Sequence, residues 1–331
     1  MQEFKSFSES LPFLNNSQFE DLAMDLFQFQ SAENEVYNAY LNARKVDIKS
    51  INSISSIPFL PIRFFKDFPV ICGQVDDFSS FYSSSGTTGM ITSKHFIWSE
   101  QWYLEHARRI FEKEYGKLTD FHVLALLPAY LERPGSSLVS MAQHFINCSQ
   151  STHSGFYLYN QDELLEKLKM LKNDSRQVLL LGVTFGLLDL AESGKDFSPM
   201  ENLIVMETGG MKGRRKEMIR EEVHDILKSF FRVNTVHSEY GMTELMSQAY
   251  SKGEGKYTLP VTMRVMLRDV NDPLSWSSRS QGGINVIDLA NLHSCAFIET
   301  QDLGRFDENG FLEVLGRFDN SEIRGCNLLV Q

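Results

Sequence analysis

Cysteine is scarce in this 331-residue chain, and the four present, Cys72, Cys148, Cys295 and Cys326, stand far apart with no C-x-x-C pair. That spacing signals neither a disulfide framework nor a zinc site. Also missing is any apolar run near the roughly 18 residues that suggest a bilayer span, so no membrane span is expected. The start, MQEFKSFSES, lacks the basic-then-apolar layout of a secretion signal, and a cytoplasmic location is the corresponding expectation. Basic residues are in deficit: 32 Lys and Arg against 43 Asp and Glu give a net charge of −11. Surfaces for nucleic-acid backbones or acidic membranes gain affinity from clustered Lys and Arg, so neither partner is expected. There is no internal repeat, low-complexity tract or charged tail.

What remains is an ordinary globular composition, 42% hydrophobic and 23% charged, on a chain long enough for a large core with a lobe boundary inside it. Residues 16–45 read as helical, and IPFLPIRFFKDF follows, its two prolines enforcing extended or turning backbone. The opening segment is placed at 1–68. A helix is predicted over 99–116, capped by Ser99 and stopped by Gly116. Beyond it, the apolar runs HVLALLP, RQVLLLGV and NLIVMETGG read as buried strands, and DELLEKLKML and KEMIREEVHDILKSFF as helices. This alternation predicts an α/β core over 69–256, a parallel sheet with helices on both faces. From 257 to 331 the runs TMRVMLRDV, GGINVIDL, CAFIET and FLEVLG are shorter and separated by turns, which predicts a smaller β-rich lobe.

In such layouts ligands sit beyond the strand ends, where loops meet helix N-termini. The stretch YSSSGTTG, with Ser84, Ser85, Gly86, Thr87, Thr88 and Gly89, suits that position. Successive backbone N–H groups form an anion-binding concavity, glycines allow close approach, and hydroxyls add donors. The G-x-x-x-x-G-K-[ST] spacing of the usual nucleoside-triphosphate loop is absent. On composition alone, a solvated turn and a phosphate site are both open.

Three later stretches add to it. HSEYGMTEL offers Tyr240 to stack on a base, Gly241, Thr243 to contact a phosphate, and Glu244 to ligate Mg²⁺, a hard cation that prefers oxygen. ETQDLGRF supplies Asp302, suited to accept two hydrogen bonds from ribose hydroxyls. LGRFDNSEIRGC supplies Arg317, a permanent donor fork. Each alone also reads as a strand end, a turn or an exposed loop.

In this order the set resembles the adenylate-forming superfamily of acyl-CoA synthetases, luciferases and nonribosomal-peptide adenylation domains. Its pattern of an aromatic-led Ser/Gly/Thr loop, Tyr-Gly-x-Thr-Glu, Thr-Gly-Asp and Gly-Arg-x-Asp stands here as YSSSGTTG, YGMTE, TQD and GRFD. Two departures fall on phosphate contacts: ITSK replaces the frequent Pro-Lys-Gly, and Gln301 replaces the glycine before the aspartate. The resemblance implies ATP and Mg²⁺ as cofactors, a carboxylic acid as substrate, and an acyl-adenylate as product. Members that make CoA thioesters continue beyond Gly-Arg-x-Asp into a mobile lobe of roughly a hundred residues. Only 12 residues follow Asp319 here, so activation without a lobe for CoA transfer is the expectation.

That directs attention to Cys326, beside Gly325 and near Arg324. A thiolate accepts an acyl group from an acyl-adenylate, and Arg324 favours the ionised form; a small apolar residue beside Leu328 is the plainer reading. The wider set IPFLPIRFFK, SSSGTTG, LPAYLERPGSSL, TGGMKGRRKE, HSEYGMTEL and RGC is similar to the LuxE-type acyl-protein synthetases. In that family a cysteine close to the C-terminus carries the acyl group as a thioester and hands it on. The resemblance therefore implies self-acylation at Cys326, probed by a fatty acid first, with a reductase, acyltransferase or carrier protein as acceptor. Two other classes stay open: an acyl- or aryl-CoA ligase completed by another chain, and a non-catalytic module that binds nucleotide or acyl-adenylate.

Remaining candidates carry less. Gly209 and Gly210 are expected to approach the adenine, whereas Lys212, Arg214, Arg215 and Lys216 read as a solvated helix start before a phosphate clamp. His237 reads equally as an acyl-pocket residue and as a satisfied core histidine. RPGSSLVSM with His144 as base offers a serine nucleophile, but no G-x-S-x-G elbow occurs.

Overall fold

A computed structural model describes residues 7, 9, 11–78, 80–84, 92–127, 135–158, 160–209, 218–272 and 274–318. The chain forms two compact units, one of Met1–Asp77 with Val261–Gln331, the other of Phe78–Pro260. In chain order the first strands are β1 (Leu60–Pro61), β2 (Ser80–Ser83), β3 (Lys94–Ile97), β4 (Phe121–Leu126), β5 (Gly155–Tyr157), β6 (Gln177–Val183) and β7 (Leu203–Thr208). They are followed by β8 (His237–Tyr240), β9 (Ala249–Ser251), β10 (Lys256–Thr258), β11 (Met263–Arg268), β12 (Gln281–Asp288), β13 (Phe297–Phe306) and β14 (Leu312–Arg317).

In the first unit β11, β12, β13 and β14 pair antiparallel in that order, and β1 lies parallel to β13. The helical stretch read over 16–45 is broken: after a 3-10 turn at Asn16–Gln18, helices run over Phe19–Glu33 and Glu35–Ala43. The break sits at Asn34, whose extended backbone ends the first helix and whose side chain caps the second by accepting from the Tyr37 N–H. The same side chain donates to the Ser294 carbonyl, so a tertiary contact fixes the break. Phe27, Phe59 and Tyr37 converge on Phe297 of β13, with centroids 5.9, 6.1 and 6.3 Å away. Beside them the buried Gln30 amide donates to the Asn291 carbonyl at 2.7 Å and accepts from the Ala296 N–H at 2.9 Å. Its polar atoms are thereby satisfied inside an aromatic core.

In the second unit the strand order is β10-β9-β8-β7-β6-β4-β5. The pairs from β8 through β5 are parallel, and β9 and β10 continue antiparallel. Every residue of β4 is buried, as is β6 from Val178 onward. Because successive side chains point to opposite faces, burial of all of them means that both faces are covered. Helix Glu100–Tyr115 packs on helix Ser137–Ser149, with Phe111 and Phe145 5.0 Å apart, and helix Thr184–Ala191 packs on Arg220–Phe231. Ser99 accepts from the Trp102 N–H at the start of the first of these, and Gly116, at φ 95°, ends it. The α/β architecture read from the sequence is therefore present, and β2 and β3 form a separate antiparallel hairpin.

Candidate active site

Parallel pairing sends the C-terminal ends of β4, β6, β7 and β8 to one edge of the ladder, the edge where α/β proteins bind ligands. Gly209 follows β7 there, with φ 77°, and Tyr240 closes β8. Tyr240 is buried and meets Tyr257 edge-on at 5.9 Å. Gly241 follows, where a Cβ would stand 2.3 Å from Glu239 Oε1. A side chain there would displace the Glu239 carboxylate, which the Thr208 hydroxyl holds.

Next, residues 242–245 form a β-turn closed by the Leu245 N–H on the Met242 carbonyl at 3.1 Å. Thr243 and Glu244 are its two central residues, and the Glu244 side chain is buried. The Thr243 carbonyl, not engaged by the turn itself, lies 2.8 Å from Nδ1 of His95 on β3. At the far end of the same loop, Ser247 Oγ is 3.0 Å from Nε2 of His106, on helix Glu100–Tyr115. Trp102 stacks on His106 at 5.0 Å. Burial pushes the His95 imidazole down to about 4, opposed by its bond to the Thr243 carbonyl. His106 is pushed down to about 3 by burial, with the Arg109 charge acting in the same direction. Both rings are neutral at neutral pH.

The hairpin of β2 and β3 brings the ends of the Ser/Gly/Thr loop together. The Ser84 N–H donates to the Ser93 carbonyl at 3.1 Å, and the Ser93 N–H donates to Ser84 Oγ at 2.9 Å. Tyr82, the aromatic that leads the loop, is buried and donates to Glu100 Oε1 at 3.0 Å. Ser85, Gly86, Thr87, Thr88, Gly89, Gly210 and Cys326 lie outside the described residues, as do Lys212, Arg214, Arg215 and Lys216.

Beneath this edge sits a further buried carboxylate. Glu207 accepts from Thr184 Oγ1 at 2.7 Å, and His224 Nε2 stands 3.7 Å and Arg220 Nε 4.0 Å from its Oε1. Burial raises this carboxyl, but the His224, Ser238 and Thr184 donors and the Arg220 charge outweigh it and hold the group below its ordinary value. The Arg220 guanidinium also lies over the Tyr257 ring at 5.3 Å, so the charge network backs the Tyr240–Tyr257 pair.

In the other unit, Asp302 on β13 and Arg317 on β14 are cross-strand partners. Asp302 is buried, Arg317 is exposed, and Oδ1 and Nε are 3.4 Å apart. Ser84, Gly209, Tyr240, Gly241, Thr243 and Glu244 thus belong to one unit, and Asp302 pairs with Arg317 in the other. His237 is half-buried, with its Nδ1 3.1 Å from the Tyr115 hydroxyl, and burial pushes it down to about 4. His144 faces Glu105 Oε1 at 3.1 Å and Cys148 Sγ at 3.5 Å, an arrangement without a serine. Sequence reasoning missed His95 and His106. Their partners lie 148 and 141 residues away, and the only local hint was the position of His95 just after the loop.

No protein-family model matches the sequence, and no curated protein shows significant sequence similarity to it. Solved structures do match. An open conformation of 2-hydroxyisobutyryl-CoA ligase in complex with 2-HIB-AMP and CoA superposes with a TM-score of 0.64 at 12% identity, over 91% of this chain and 74% of that one. The fold is that of the adenylate-forming ligases. ATP-bound MatB from Rhodopseudomonas palustris matches with a TM-score of 0.52 at 17% identity, over 75% of this chain. O-succinylbenzoate coenzyme A synthetase (MenE) from Bacillus subtilis, in complex with AMP, gives 0.51 at 16% identity, over 75% of this chain. The chain spans about half the length of the last two, 49% of MatB and 51% of MenE. At these identities the likeness to the adenylate-forming ligases is one of fold.

Proposed function

We propose that this chain is an AMP-forming acid ligase that activates a carboxylic acid with ATP and passes the acyl group to its own Cys326. The observation that carries this reading is the turn after β8, which offers a hydroxyl and a buried carboxylate side by side at the ligand-binding edge of an adenylate-forming ligase fold. In the first half-reaction an oxygen of the acid attacks the α-phosphorus of ATP. The new C(O)–O–P bond forms as the bond from the α-phosphorus to the bridging oxygen breaks, and pyrophosphate leaves with that electron pair. The Thr243 hydroxyl and the Ser84–Gly89 loop donate to phosphate oxygens, Tyr240 stacks on the base, Gly209 and Gly210 lie along it, Asp302 accepts from the ribose hydroxyls, and Arg317 supplies a donor fork.

Glu244 would hold Mg²⁺. Among the described residues no group of three His, Cys, Asp or Glu stands together to hold a metal. One buried carboxylate suits Mg²⁺, which keeps several waters and takes substrate phosphates as ligands. When bound, the ion neutralises the phosphate charge.

In the second half-reaction the Cys326 thiolate attacks the acyl carbonyl, its proton having passed to solvent, and AMP leaves as the thioester forms. Support comes from the other cysteines. Burial pushes the Cys72 thiol far up, Cys295 up to about 12, and Cys148 up as well, so none is disposed to ionise. A fatty acid is the first substrate to test, and a reductase, acyltransferase or carrier protein is the class of final acceptor. A second reading, an acyl- or aryl-CoA ligase, draws on the 91% of this chain that superposes on the 2-hydroxyisobutyryl-CoA ligase. Intact-mass measurement after incubation with ATP, Mg²⁺ and a panel of carboxylic acids tests the proposal. An acyl adduct on Cys326, released by neutral hydroxylamine, is the expected result; CoA-dependent AMP formation without an adduct favours the second reading.

A further inference from the structure

A β-turn is held by the bond between its outer residues, and this leaves its central peptide the least constrained part. Type I and type II turns differ by a half-rotation of that peptide, which sends its C=O and N–H to opposite sides. In the turn 242–245 the central peptide joins Thr243 to Glu244, the two residues to which phosphate and metal contacts are assigned above. Its carbonyl is the group that His95 engages, at 2.8 Å. A carbonyl only accepts, so the ring must carry its proton on Nδ1. The ring is wholly buried, which fixes its direction and makes the loss of the bond costly for both partners. His95 also lies on β3, next to the closing end of the Ser/Gly/Thr hairpin, where Ser84 and Ser93 exchange hydrogen bonds. His106 grips the same loop four residues on, at Ser247.

We infer that His95 is a positioning residue: by holding the Thr243 carbonyl it selects one orientation of the Thr243–Glu244 peptide and ties the turn to the β2–β3 hairpin. It touches neither nucleotide nor acid. Its effect reaches them through the direction imposed on the Glu244 N–H and on the two side chains. The inference rests on the assignment of Thr243 and Glu244 to the nucleotide, and its test separates the two.

The experiment compares the full chain with His95→Leu, His95→Asn and His95→Gln. An asparagine amide nitrogen occupies the place of Nδ1 and can donate to the Thr243 carbonyl, whereas glutamine reaches the place of Nε2. The readouts are the Kd for Mg-ATP by titration calorimetry and amide hydrogen exchange over residues 241–248. His95→Leu, or His95→Gln if the leucine variant does not fold, is expected to raise Kd about tenfold, the effect of one lost hydrogen bond of about 1.4 kcal/mol, and to accelerate exchange in the turn. His95→Asn is expected to restore both. His122→Leu serves as the control for general destabilisation: His122 is a buried histidine at the N-terminal end of β4, with Nδ1 2.6 Å from Ser151 Oγ and Nε2 3.1 Å from Asp174 Oδ1, and its loss should lower the melting temperature without changing either readout. Equal behaviour of the leucine and asparagine variants, or the same changes in His122→Leu, would overturn the inference. If the unaltered chain binds no Mg-ATP, the nucleotide assignment fails, and amide exchange still decides whether His95 holds the turn.

Discussion

Asp302 and Arg317 stand directly opposite each other across β13 and β14, with Oδ1 3.4 Å from Nε. Two motif residues that are 15 apart in the chain are thus brought together by one antiparallel register. The buried Asp302 carboxylate is the group assigned above to the ribose hydroxyls. Asp302→Ala is therefore expected to weaken Mg-ATP binding by about 1.5–3 kcal/mol, the loss of hydrogen bonds to a charged acceptor, as read by titration calorimetry. A wild-type affinity would remove Asp302 from the nucleotide site. Arg317→Ala should shift the unfolding midpoint little, since the guanidinium end of the pair is solvent-exposed and screened even though Asp302 is buried.

Glu244→Gln keeps the size of the side chain and removes its charge. Acid-dependent exchange of labelled pyrophosphate into ATP should fall strongly, because the ion that neutralises the phosphates loses its charged ligand. Unchanged exchange in this variant would take Glu244 out of the site.

Cys326→Ser separates the two half-reactions. Pyrophosphate exchange should stay near the level of the unaltered chain, since Thr243, Glu244 and Asp302 are untouched, and the hydroxylamine-labile adduct should vanish. An adduct that persists, or that maps to Cys72, Cys148 or Cys295, sinks the self-acylation reading.

Gly241→Ala places a methyl 2.3 Å from Glu239 Oε1, on a carboxylate whose other oxygen is held by the Thr208 hydroxyl. Overpacking of this kind typically costs about 1–3 kcal/mol. A lower urea midpoint together with weaker Mg-ATP binding is the expected pair of results, since the displaced carboxylate lies next to Tyr240.

Acid should destabilise the second unit through its buried histidines. His95 ordinarily titrates at 6.5 and is depressed to about 4 in the fold. Between those values the unfolded chain takes up a proton that the folded chain refuses. The contribution of His95 is therefore complete above pH 6.5, declines as the pH falls towards 4, and changes no further below that. A depression of this size is worth about 3 kcal/mol over the window. Denaturant midpoints measured from pH 7.5 down to 4 in the unaltered chain and in His95→Asn check this, and the variant should give the flatter profile.

Much of the architecture was legible in the sequence because local chemistry and tertiary structure agree. The apolar runs of β4, β6 and β7 read as buried strands, and they form strands that are buried almost throughout. Ser99 and Gly116 bound a helix by their own capping chemistry. What could not be read depends on distant partners. Asn34 breaks a helical stretch through its bonds to the Tyr37 N–H and the Ser294 carbonyl, the second of which is 260 residues away. His95 and His106 gain their meaning from Thr243 and Ser247, and a lone histidine in a strand or helix carries no mark of that. Leu60–Pro61 reads as a proline-enforced extended stretch, whereas its parallel pairing with β13 is invisible in the chain order.

The Gln30 latch has a consequence for synthesis. Its carbonyl partner at Asn291 lies 261 residues further along the chain. At about 5–20 residues per second on the ribosome, helix Phe19–Glu33 waits roughly 13–50 s before the backbone that satisfies Gln30 and the Phe297 ring that covers Phe27 are made. Phe78–Pro260 is one unbroken stretch and emerges complete during that interval. The apolar side of the early helix is therefore open to a chaperone on the nascent chain throughout that interval.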